Sequence, residues 1–166
     1  MPVPLQVTQI PYPSSPTSRE DLFETLKQYV LAFMAVNHVY RTDIDFRQTD
    51  PGLSPVAVLV QHPASNPTQH QSLPPLYRDK VTLRVGIAHN DDDPDDDYVS
   101  RTLNTLRDGL DLALSPDQPD TFLCTLAGRA IRCWVAKDSF TYAFSMGVWK
   151  VFSSTIELEY LAPNNS

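Results

Sequence analysis

Glycine is scarce in this chain of 166 residues, with five against fifteen prolines. No glycine-rich phosphate loop of the P-loop or GxGxxG kind occurs, and neither does GxSxG or HExxH. Long apolar runs are also missing: the longest, Tyr29 to Val36, has eight residues, far below the ~20 that a membrane-spanning helix needs. Basic residues are outnumbered 13 to 20 and scattered, which is the wrong sign and pattern for neutralising phosphate over an exposed face. The opening Met1-Pro2-Val3-Pro4 has neither the charged start nor the apolar stretch of a secretory signal. Cytosolic synthesis is the expectation.

What is present suits one soluble globular domain: 42% apolar and 20% charged residues, in a chain long enough to bury a core without metals or disulfide staples. Pro2, Pro4, Pro11, Pro13 and Pro16 stiffen residues 1–17 into an extended arm, within which Leu5 to Ile10 alternates like a strand. The domain is expected over residues 18–162. Its fold class is α+β: a mostly antiparallel or mixed sheet with two main helices, at about 18–36 and 98–114, packed against it.

Ser18 caps the first helix, with Asp21 three residues on, and Leu22, Phe23, Leu26, Tyr29, Val30, Phe33 and Met34 share one face. Asn37 is its expected stop. From Tyr40 the period becomes two, through Thr42, Ile44 and Phe46, which predicts a strand. Val56 to Val60 is apolar on both faces and reads as a central strand. A polar loop spans 61–75, then Val81, Leu83, Val85 and Ile87 alternate in a strand that could begin at Leu76. Val99, Leu103, Leu106, Leu110 and Leu114 mark the second helix. Gly128-Arg129 is placed as a two-residue turn that pairs Cys124 with Cys133 and Phe122 with Val135. Cys124 and Cys133 then form a non-hydrogen-bonded pair, open to a disulfide or to two buried thiols. The last strand, about Val148 to Tyr160, buries Phe152, Ile156, Leu158 and Tyr160 and turns Glu157 and Glu159 outward.

The densest feature lies between a strand and a helix: Asp91, Asp92, Asp93, Asp95, Asp96 and Asp97, broken only by Pro94. Without these six the formal charge of −7 would be −1, so the body is nearly neutral. The spacing does not make a calcium loop, because Asp96 stands where glycine is required and Thr102 where glutamate is. Asp97 is the expected N-cap of the second helix. His38, His62, His70 and His89 show no ligand spacing. No catalytic residue, cofactor or metal is assigned.

The element order has four landmarks: Tyr40-Arg41-Thr42, Pro55-Val56-Ala57-Val58-Leu59-Val60, Tyr77-Arg78-Asp79-Lys80-Val81-Thr82-Leu83-Arg84-Val85, and Trp149-Lys150-Val151-Phe152-Ser153-Ser154-Thr155-Ile156-Glu157-Leu158. Over about Ser18 to Leu161 the chain resembles the tail terminator (tail completion) proteins of tailed bacteriophages. The resemblance implies a sheet with helices against it and a homohexameric ring on the finished tail tube. It implies the tail tube protein and the head–neck connector as partners, and a virion location at the tail–neck junction after assembly in the host cytoplasm. DNA passes through as cargo without specific binding, and no membrane is involved. The acidic loop is then expected either to face the channel or its mouth, where carboxylates repel phosphate, or to point outward as a solvated loop; in the first case asparagine there should leave rings intact and impair genome passage. Gln61, His62, Asn66, Gln69, His70 and Gln71 are the candidate contacts to a neighbouring subunit or ring. The alternatives are another neck or tail component (head-closure, tube or baseplate adaptor) and a small cytosolic enzyme or ligand-binding domain.

Overall fold

The computed structural model describes residues 10, 18–62, 76–117, 122–136 and 140–161. Ser18 starts the first helix as expected. Its hydroxyl oxygen accepts from the Asp21 amide at 3.1 Å, satisfying one of the N–H groups that a helix start leaves bare. Helix α1 runs Arg19–Phe33 and buries Leu22, Phe23, Leu26, Tyr29 and Val30. It stops short of the expected Val36. Met34 is the C-cap and Ala35 turns the chain at a φ of 55°. Asn37 is not the helix stop: its amide donates to Pro55 O at 2.8 Å and its side chain to Ser54 O at 2.7 Å.

The strands are β1 (His38–Tyr40), β2 (Val56–His62) and β3 (Leu76–Ala88). After helix α2 (Tyr98–Ala113) come β4 (Arg132–Val135), β5 (Thr141–Met146) and β6 (Trp149–Leu161). They make one sheet in the order β1-β2-β3-β6-β4, with β5 also paired to β6. β1 is parallel to β2, and the other described pairings are antiparallel. Both helices pack on one face, where Leu26, Val30, Leu106 and Leu110 join Leu83, Val85, Ile156 and Leu158 in the main core. The fold is therefore α+β with a mixed sheet, as the sequence indicates. The helices meet closely at Gly109, where a Cβ would stand 2.3 Å from the Phe33 carbonyl oxygen. No described helix is long and apolar enough to cross a membrane.

On the opposite face a smaller cluster holds Phe46, Val56, Val58, Trp149 and Val151. It explains why the expected strand from Tyr40 to Phe46 is absent. The strand ends at Tyr40, and two single-turn 3-10 helices follow, Phe46–Gln48 and Pro51–Leu53. Asp45 and Asp50 start these turns by accepting from the amides of Arg47 (3.0 Å) and Gly52 (2.9 Å). Tyr40, Ile44 and Phe46 still share the small cluster. The alternation reports a common facing, reached without a strand.

The expected two-residue hairpin at Gly128 is also replaced. Cys124 does pair with Cys133, but as an isolated antiparallel bridge, and Cys133 N donates to Cys124 O at 2.8 Å. The Asp117 carboxylate accepts from the Thr125 and Ala127 amides at 3.0 and 3.1 Å. Those amides are thereby withdrawn from a ladder, and Leu126, Ala127 and Gly128 turn at φ of 50°, 56° and 82°. Phe122, expected opposite Val135 in the core, is 96% exposed. β4 pairs with β6 instead, beside the unanticipated β5. Both cysteines are free and buried. Burial pushes the Cys124 thiol up to about 11 and raises that of Cys133 as well.

Candidate functional site

The acidic loop leaves the end of β3, where His89 N donates to Val148 O at 2.9 Å, and enters α2 at Tyr98. Much of its composition has a local backbone cause. Side-chain oxygens of Asn90, Asp93 and Asp95 each accept from the amide two residues on, at 3.1, 2.9 and 3.3 Å, a succession of Asx turns. Asp97 occupies the N-cap position but makes no side-chain cap bond. Its own amide is the donor to Asp95, and its φ of −93° with ψ of −3° departs from the extended backbone usual at a cap.

The carboxylates diverge onto separate partners. Asp95 is paired with Arg101, whose guanidinium holds that carboxyl below its ordinary value. Asp91 lies 3.4 Å from Lys150, and Asp93 3.9 Å from His89 Nε2. Asp92, Asp96 and Asp97 have no such partner among the described residues. No group of three or more His, Cys, Asp or Glu converges as a metal site among those residues. Beside the loop is a cleft of about 350 Å³ walled by Asp91, Asp93 and Asp96 on one side and Tyr142 and Phe152 on another. His89 lines it, stacks on Tyr98 with ring centres 5.2 Å apart, and keeps Nε2 buried without a hydrogen bond.

A second charged constellation stands at the far end of β3. Across the register, Arg78 on β3 and Arg132 on β4 both face Glu159 on β6. Glu159 is not turned out to solvent as expected; it is 7% exposed. Arg132 donates to it from Nε and Nη2 at 3.0 and 2.9 Å, and Arg78 from Nε at 3.0 Å and from Nη2. The Arg132 fork, with Arg78 beside it, holds the Glu159 carboxyl below its ordinary value. Both guanidiniums also lie over the Trp134 ring, Arg132 at 4.3 Å and Arg78 at 5.7 Å from its centre. We refer to this cationic surface as the plate.

No protein-family model and no curated protein matches the chain.

The geometry thus carries the functional reading. The acidic loop is exposed where the sequence places it, although two of its six carboxylates are drawn to cations of the same chain and a third lies near His89. Gln61 and His62 are strand residues of β2, paired with Val81 and Lys80, and not part of a loop. His62 Nε2 is 3.1 Å from Thr82 Oγ1. Asn66, Gln69, His70 and Gln71 lie outside the described residues, as does most of the proline-rich arm.

The plate escapes sequence reading because Arg78 and Glu159 are 81 positions apart. The available signal is Arg132 and Trp134 alternating on one short strand, an amphipathic pair compatible with an exposed face. A related cluster on the helix side joins Asp79, 1% exposed, to Tyr160, whose hydroxyl donates to it at 2.9 Å. Arg19 caps this pair, donating to the Tyr160 oxygen at 3.1 Å and lying over the Tyr77 ring at 4.5 Å.

Proposed function

We propose that this chain is a ring-forming structural subunit of the tail–neck junction of a tailed bacteriophage, a tail terminator that caps the tail tube. In this reading its copies form a homohexameric ring, with the tube protein on one side and the head–neck connector on the other. DNA passes as cargo, and the protein works in the virion after assembly in the host cytoplasm. One observation carries the reading. Two charged groups sit at opposite ends of β3, the acidic loop after Ala88 and the plate around Arg78. They shape two separate surfaces rather than converging on one reacting centre. The helix-backed sheet is also the fold that the resemblance implies.

The test is assembly on its template. Purified protein mixed with tail tubes is expected to place six-fold rings on tube ends in negative-stain images. Bare tube ends would overturn the reading. A small ligand-binding domain is the second reading, favoured by the cleft, into which His89 brings a buried Nε2 that makes no hydrogen bond and has only the Asp93 carboxylate nearby, at 3.9 Å. A ligand-induced rise in melting temperature, lost in His89→Ala, would support it.

A further inference from the structure

The loop and the plate are separated by one continuous ladder. From Arg78 to Ala88 every residue of β3 is paired with β6, a span of about 33 Å at the usual strand rise. The loop cannot fold back onto the plate of its own chain.

Each end is left with unmatched charge. At the plate two guanidiniums share one buried carboxylate, while Lys80 is offset by Glu157 at 3.8 Å, which leaves one positive charge. The Arg78 and Arg132 side chains are 54% and 41% exposed. Their described bonds use Nε and Nη2, so each Nη1 remains for an incoming acceptor. At the loop, Asp92, Asp96 and Asp97 are exposed and lack an ion pair among the described residues.

We propose that the Asp91–Asp97 loop of one copy docks on the Arg78–Arg132–Trp134 plate of a second copy. Carboxylate–guanidinium contacts are the strong, geometrically specific kind. Glu159 and the indole already hold both forks in place, so little side-chain freedom is lost on docking. The two surfaces differ, so the contact is heterologous: every copy gives a loop and receives one, and the repeat closes into a ring where the rotation allows. This contact rests on the ring reading above. It places the loop in the joint between subunits, not on the channel wall.

Charge reversal tests it. One variant carries Asp92→Lys, Asp96→Lys and Asp97→Lys; the other carries Arg78→Glu, with Arg132 left to hold Glu159. Association is followed by light scattering at low ionic strength, and melting temperature confirms the fold. Each variant alone is expected to weaken self-association at least about tenfold. An equimolar mixture is expected to restore it, because both kinds of junction in an alternating assembly again oppose unlike charges. If Arg78→Glu fails to fold, Arg78→Gln takes its place, with loss of association expected. Variants that assemble like the wild type, or losses that mixing does not repair, overturn the contact. Neutral asparagine at the three loop positions with intact rings and blocked genome passage would overturn it in favour of the channel wall. A wild-type chain that stays monomeric overturns the contact while the tube experiment still decides the ring reading.

Discussion

Glu159 on β6 accepts hydrogen bonds from Arg132 on β4 at 2.9 and 3.0 Å while Arg78 on β3 holds it from the other side. One carboxylate thereby ties three adjacent strands together at the end of the sheet. Replacing it with glutamine removes the charge that both forks address. Glu159→Gln is expected to destabilise the fold by about 1–3 kcal/mol at neutral pH. Because the folded carboxyl titrates below its ordinary value, its contribution is fully present above the unfolded value of ~4.3. It is lost as pH falls through the lower, folded value. Melting temperatures of wild type and variant should therefore converge in acid. A gap that persists below both values would show that shape, not charge, is responsible.

On the other face of the same strand, Tyr160 donates to buried Asp79 at 2.9 Å. Tyr160→Phe removes that donor and should lower stability by about 1–3 kcal/mol. Burial raises the phenol from 10.0 to about 12. A raised folded value means stability that is present below the unfolded value and lost as pH climbs through the folded one. Wild type should thus lose its advantage over Tyr160→Phe between pH 10 and about 12, as followed by melting temperature and phenolate absorbance. An advantage that stays constant across that window would refute the assignment.

Gly109 sets how closely the two helices approach. Alanine normally favours a helix over glycine by about 1 kcal/mol. Here the new methyl would meet the Phe33 carbonyl oxygen at 2.3 Å and Met34 Cα at 2.8 Å, and backbone cannot swing aside. Overpacking should win, so that Gly109→Ala destabilises by about 1–3 kcal/mol. In a chain of this size that is several degrees of melting temperature. An unchanged or higher melting temperature would mean that α2 shifts freely over α1.

Local patterns carry most of the fold. Ser18 and the apolar face of α1 are legible because capping and helical period involve neighbours in sequence. β2 and β3 are legible because Val56 to Val60 is apolar on both faces and Val81, Leu83, Val85 and Ile87 recur at every second position. The errors arise where a distant residue takes over. Asp117 captures the Thr125 and Ala127 amides and replaces the hairpin. Arg41 leaves the expected strand to pair with Glu20 and Glu24 on α1. The site divides in the same way. The acidic loop is visible as a contiguous run, whereas the plate exists only after β4 comes to lie beside β6.

Gly86 shows what a strand pattern hides. Its place in β3 faces away from the helices, so the alternation reads it as exposed, yet it is buried beneath Phe46. An added Cβ would meet the Phe46 ring at 2.3 Å and Trp149 at 3.0 Å. The ring cannot retreat, being 1% exposed with Trp149 and Phe144 at centroid distances of 5.3 and 6.3 Å. Gly86→Ala should therefore destabilise by about 1–3 kcal/mol, and Phe46→Ala by about 3–5 kcal/mol. Together they should lose less than the sum, with a coupling of about 0.5–3 kcal/mol, because the methyl then occupies space that the ring has left. Denaturant unfolding of the four proteins measures this. Strict additivity would mean that Gly86 is required for its backbone and not for the ring above it.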